Sequence, residues 1–220
     1  MKKVLSTLLI ALCAFYTQAQ GFKAGPKIGA NYAKAWNEIE PVGNGDFGGQ
    51  IGGLLNASLD KKGRQAVQFE ALFAIKNFTN ARQNAKLATS YVDLPVLYQY
   101  NFIPTRKRGK AYSQNPKGNF YLTAGAQTSI LLSSKVTFEN REGGGEPFDA
   151  KSWTRSFDAS ALAGLGYKFM NGLTVEARYG LGLRHLHAAD CAYVPYDASL
   201  NTVQASVAYT VPVKFTTRKY

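Results

Sequence analysis

Between positions 157 and 182 the chain changes polarity at almost every step. Phe157, Ala159, Ala161, Ala163, Leu165, Tyr167 and Phe169 alternate with Asp158, Ser160, Leu162, Gly164, Gly166 and Lys168. After Met170-Asn171-Gly172, the residues Leu173, Val175, Ala177, Tyr179 and Leu181 alternate with Thr174, Glu176, Arg178, Gly180 and Gly182. A period of two is the mark of β-strands, and Asn-Gly between two such runs marks a hairpin. Six further segments keep the same beat: residues 22–32, 47–59, 67–75, 92–102, 120–132 and 203–215. Each of the eight is nine to thirteen residues long, close to the roughly 9–11 that cross a bilayer at a tilt. The pattern predicts an all-β fold, an eight-stranded antiparallel up-and-down transmembrane β-barrel. Closing such a sheet pairs every backbone group between strands, so no long apolar helix is required.

The second face of these strands carries charge. The phase of the alternation turns Lys23, Lys27, Glu70, Asp93, Asp158, Lys168, Glu176 and Arg178 toward the barrel lumen. Four acids against four bases can pair internally, as buried charges must. A proton or ion pathway is the rival reading, but an eight-stranded interior is about filled by its own side chains. Aromatic residues gather near strand ends. One belt would hold Phe22, Tyr98, Tyr100, Phe120, Tyr167, Phe169 and Tyr209, the other Tyr32, Phe47, Phe73, Phe157 and Tyr179. Rings favour the membrane interface, whereas the core of a soluble sandwich would place them at strand centres.

The start of the chain fits an exported protein. Met1-Lys2-Lys3 precedes an apolar run of twelve residues, 4–15, and Thr17 and Ala19 suit cleavage after Ala19. Residues 1–19 therefore read as a signal peptide and 20–220 as one barrel domain. Leu12 is too bulky before Cys13 for lipoprotein processing. Cleavage would leave Cys191 alone, which excludes an intramolecular disulfide. The formal charge of +12 falls to +10 when Lys2 and Lys3 leave (12 − 2 = 10). An exported chain of that charge points to membrane surfaces or acidic partners, not to nucleic acid.

Four stretches resemble a known family: "SYVDLPVLYQYNF" (90–102), "FYLTAGAQTSILL" (120–132), "ALAGLGYKF" and "VEARYGLGL". They look like successive strands of the PorT-type outer membrane β-barrels, broadly similar to the OmpA and OmpX barrels. Leu94-Pro95, Ala124-Gly125, Ala177-Arg178-Tyr179 and Gly182-Leu183 carry most of the likeness. The resemblance implies a monomeric barrel among outer membrane lipids, with an envelope or secretion-system protein as partner. It brings no catalytic residue and no cofactor.

Recognition chemistry then falls to the connections. With the N-terminus in the periplasm, the outer loops would be 33–46, 76–91, 133–156 and 184–202, and the inner turns 60–66, 103–119 and 170–172. The loop 133–156 holds Trp153 and several acids around Gly143–Gly145, and the turn 103–119 holds Arg106, Lys107, Arg108 and Lys110. These five residues are the candidate partner contacts, with basic residues suited to anionic headgroups or an acidic protein. The alternative is a barrel enzyme that modifies envelope lipids, a lipid A deacylase or acyltransferase. Its candidates would be His185 and His187, with Asp190 or Cys191 nearby and Ser129 or Ser160 as nucleophile. An HxH pair without a third spaced ligand supports neither a metal site nor a triad, so no catalytic residue and no metal is assigned.

Overall fold

A computed structural model describes residues 21–36, 43–80, 85–103, 118–138, 148–151, 154–184 and 199–213. The strands are β1 (Phe22–Trp36), β2 (Gly43–Ser58), β3 (Gln65–Asn80), β4 (Ala85–Asn101), β5 (Gly118–Phe138), β6 (Phe148–Asp149), β7 (Phe157–Phe169), β8 (Leu173–Gly182), β9 (Ser199–Tyr209) and β10 (Val211–Val213). Eight long strands pair in chain order and antiparallel, while β6 is a short return strand on β5 and β10 follows β9 after Thr210. The sheet closes because β1 pairs with β2 on one side and with β9 and β10 on the other. A closed sheet has no unpaired edge to satisfy within the bilayer.

Side-chain burial is inverted relative to a water-soluble core. Ile28 is 60% exposed, while its neighbour Lys27 is 2% exposed. Ile51, Leu94, Val96, Leu122, Leu165, Val175, Val203 and Val207 also lie on the outside, and Gln50, Asn56, Gln68, Gln99, Gln127, Gln204 and Ser206 lie within. Rings mark both edges of the apolar band. Phe120 stacks edge-on against Tyr167 and Tyr167 against Phe169, each at 4.8 Å, while Tyr32 meets Phe47 at 5.2 Å at the other edge. Phe157 and Tyr167 on β7 belong to opposite edges, ten residue steps apart. At about 3.3 Å per step and a tilt of about 40°, that spans roughly 25 Å, the height of a lipid-facing band.

The strands are longer than the sequence pattern predicts. Residues 33–46, 76–91 and 133–156 were expected as outer loops, yet β1 runs to Trp36, β3 to Asn80, β4 starts at Ala85 and β5 runs 21 residues to Phe138. A few residues beyond the row Phe73, Val92, Ile130 and Phe157, aligned by register, the polarity of the two faces reverses. Ala33, Ala35, Phe78, Leu87 and Val136 point inward and are buried, while Lys34, Asn77, Lys86 and Lys135 point outward. That is the polarity of a protein in water, and it closes the lumen at this end with an apolar layer. A register shift between β4 and β5 lets Ser90 face Ser133 and Tyr91 face Leu131, leaving Leu132 over. The extra residue flips the inward phase of β5 from Ser129 and Leu131 to Ser134 and Val136. At the opposite, short-turn end, β7 and β8 join through Gly172, whose φ of 92° only glycine adopts readily. The last expected strand, 203–215, starts earlier, at Ser199, and is interrupted at Thr210.

Candidate functional site

The lumen brings together residues far apart in sequence. Lys27 on β1, Glu70 on β3, and Glu176 and Arg178 on β8 form one four-membered cluster at mid-barrel. Arg178 grips Glu70 with both terminal nitrogens, Nη1 to Oε2 at 2.8 Å and Nη2 to Oε1 at 2.6 Å. Its Nη2 also donates to Glu176 Oε2 at 2.7 Å. Lys27 Nζ reaches Glu70 Oε1 at 2.9 Å and Glu176 Oε2 at 3.2 Å, so each cation bridges both carboxylates. Gln68 donates to Glu70, and Thr123 Oγ1 donates to Glu176 Oε1 at 3.1 Å. The four side chains are almost wholly buried. Two positive and two negative charges cancel, and their hydrogen bonds are charge-assisted, the condition for tolerating them away from water.

Small residues make room for this cluster. On the inward face of β7, a Cβ at Gly164 would lie 2.6 Å from Arg178 Cγ and from the Ala177 carbonyl oxygen, and one at Gly166 would strike the Tyr121 ring. The glycines that keep the beat on β7 are therefore the space that Arg178 and Tyr121 occupy.

A second ion pair lies nearer the apolar layer. Lys76 Nζ contacts Asp93 Oδ2 at 2.9 Å, donates to Ser129 Oγ at 3.4 Å, and stands 4.7 Å above the Tyr91 ring. Lys76 is 2% exposed, although the sequence pattern leaves it in an outer loop. Continuing the count Gln68, Glu70, Leu72, Ala74 by two would have turned it inward. Asp158 is buried, and its Oδ1 accepts from the Ala159 backbone N–H at 2.7 Å. Among the described residues it forms no ion pair.

Lys23 and Lys168 also face the lumen but join neither group. They line a cavity of about 160 Å³ at the short-turn end, together with Lys62. Among the described residues the interior thus holds five bases and four acids; of the eight residues expected in the lumen, Lys27, Glu70, Glu176 and Arg178 form one cluster, Asp93 pairs with Lys76, and Lys23, Asp158 and Lys168 stand apart. At the far rim Lys86 and Asp46 meet at 2.5 Å, both partly exposed, a pair of little energetic weight.

The basic residues Arg106, Lys107, Arg108 and Lys110, Trp153, and His185, His187, Asp190 and Cys191 lie outside the described residues, as do residues 1–19. Ser129 and Ser160, the serines weighed as nucleophiles, are buried in the lumen. Among the described residues no group of three His, Cys, Asp or Glu side chains could hold a metal ion.

The profile of the outer membrane protein beta-barrel domain family matches residues 18–188. The chain belongs to that family. Its place is the outer membrane, and the outward apolar band is the surface that lipid covers. No curated protein matches the sequence. Among solved structures, Ail of Yersinia pestis, in complex with the heparin analogue sucrose octasulfate, is 12% identical, with 87% of this chain and all of that one covered (100%) and a TM-score of 0.47. The translocator domain of the autotransporter NalP from Neisseria meningitidis is 10% identical, over 93% of this chain and 95% of that one, with a TM-score of 0.35. The de novo designed TMB2.3 is 14% identical, over 85% and 95%, with a TM-score of 0.30.

Proposed function

We propose that this family member is a sealed, non-enzymatic barrel that presents its outer loops or docks a periplasmic, secretion-related protein partner through its long inner turn. One observation carries the reading: the lumen is closed twice, by the ion-paired cluster at mid-barrel and by the apolar layer of Phe78, Leu87 and Val136 beyond the aromatic edge. A wall that conducts nothing and is charge-compensated within offers little recognition chemistry, which leaves the connections. Short turns in such barrels face the periplasm and longer connections face outward. That rule supports an inward-facing Met170–Gly172 end and an outward-facing extension of β3, β4 and β5. The resemblance to PorT-type barrels supports a secretion-related partner, and Trp153 and the basic residues Arg106, Lys107, Arg108 and Lys110 are the contacts to vary first. The enzymatic alternative draws no support from Ser129 and Ser160, which are enclosed where no lipid reaches them.

The test is crosslinking in cells, with an unreactive barrel as control. Deleting Gly143–Gly145, and separately neutralising the four basic residues, should remove captured partners while the barrel still folds. Partners that persist in both variants would defeat the proposal. An altered lipid A acylation pattern in cells lacking the protein would favour the enzyme instead.

A further inference from the structure

The three charges left outside the central pairs divide by sign along the barrel. Asp158 lies toward the apolar layer, whereas Lys23 and Lys168 lie at the short-turn mouth, where Lys62 from the β2–β3 turn joins them around one cavity. No carboxylate lines that cavity among the described residues. Glu176, which shares with Lys168 a narrow space deeper in the lumen, is already bound by Lys27, Arg178 and Thr123. Lys23 and Lys168 form no ion pair among the described residues. Like charges crowded in a half-enclosed space repel, and a bound anion is the direct remedy.

We infer that this mouth binds a phosphate group. Lys23 on β1 and Lys168 on β7 reach the cavity from different strands, and so can meet a tetrahedral anion from two sides. A planar carboxylate would instead be matched by the flat fork of an arginine, and none lines the cavity. The Asn119 amide, whose contact to Asn101 is long at 3.4 Å, is a further donor at the wall. A volume of about 160 Å³ is roughly ten times what one water needs, enough for a phosphate with a short substituent. Phe169 and Met170 form an apolar lip beside the lysines. The phosphate can belong to a phospholipid headgroup of the adjoining leaflet or to a small soluble phosphate ester.

The mature chain, refolded in a maltoside detergent that contains no phosphate, would be titrated with inorganic phosphate and, separately, with a short-chain phosphatidylglycerol below its micellar concentration. Phosphorus NMR linewidths report binding, and gel migration without heating confirms the folded barrel. Both Lys168→Met and Lys23→Met should weaken saturable binding about tenfold, the worth of one charge-assisted hydrogen bond. Lys168→Arg should retain it. Lys135→Met removes the same charge from an exposed position at the opposite end and should change nothing. Tighter binding of the lipid assigns the site to a headgroup, and binding of inorganic phosphate at least as tight assigns it to a soluble phosphate. Absence of saturation with both probes, or an equal loss in Lys135→Met, would overturn the inference. Asn119→Ala, which removes the neutral donor at the wall, repeats the test should a lysine variant fail to fold.

Discussion

Removing Arg178 should be the most damaging single change in the barrel. Its three hydrogen bonds to Glu70 and Glu176, at 2.6, 2.7 and 2.8 Å, would be lost together. At about 1.5–3 kcal/mol for each bond to a charged group, their simple sum exceeds about 4.5 kcal/mol. Lys27 limits the loss, because it touches both carboxylates and can recentre between them. The remaining problem is two buried carboxylates sharing one cation. The cost expected for Arg178→Met is therefore about 3–5 kcal/mol, that of breaking a buried pair. Arg178→Met with Glu70→Gln removes one charge of each sign and leaves Lys27 with Glu176. The double variant should be less damaged than Arg178→Met alone, with a coupling of at least about 1 kcal/mol. Urea unfolding in lipid vesicles, followed by tryptophan fluorescence, measures the parent, both single variants and the double variant. Additive effects of the two substitutions, or an Arg178→Met barrel as stable as the parent, would mean that the cluster does not act as one unit.

Three further outcomes are expected. Lys76→Met should destabilise the same unfolding transition by about 3 kcal/mol and regain part of it with Asp93→Asn; no loss would place Lys76 in water. Ile28→Arg, midway between Phe22 and Tyr32 on the lipid face, should cost about 2–4 kcal/mol while Phe47→Arg at the aromatic edge costs about 0–1; equal costs would misplace the bilayer. Unheated protein should migrate differently from boiled protein in detergent gels, and Gly164→Val should abolish that difference by filling the Arg178 space; unchanged mobility in the variant would show that β7 can yield.

The wall was legible because one physical rule governs it: lipid outside, packed polar groups within. That rule places Lys27, Glu70, Glu176 and Arg178 on the inside from spacing alone. It could not say that they meet, since their contact depends on which strands face one another across the lumen. It failed at Lys76 for a different reason. There β3 leaves the lipid, so Asn77 and Thr79 on the outer face turn polar and Phe78 on the inner face turns apolar. Alternation persists with its sign reversed, which reads as a loop to anyone looking for continued hydrophobicity on one face. The same reversal hides the ends of β1, β4 and β5, and on β5 the extra residue Leu132 adds a change of phase. A reversal of that kind is itself a signal, because it marks the plane where the bilayer stops.

β5 continues for eight residues past Ile130, from 131 to 138. At about 3.3 Å per residue and a tilt of about 40° that is a rise of roughly 20 Å, against about 6 Å for the headgroup zone of one leaflet. Whatever the chain presents after position 138 starts from a stiff mast and not from the membrane surface. For the outward presentation proposed above, an approaching partner would not have to press into the headgroups to reach it. The ordering cost that a tethered loop normally pays on binding is reduced by the sheet beneath it, so that reach and rigidity come from the same strands.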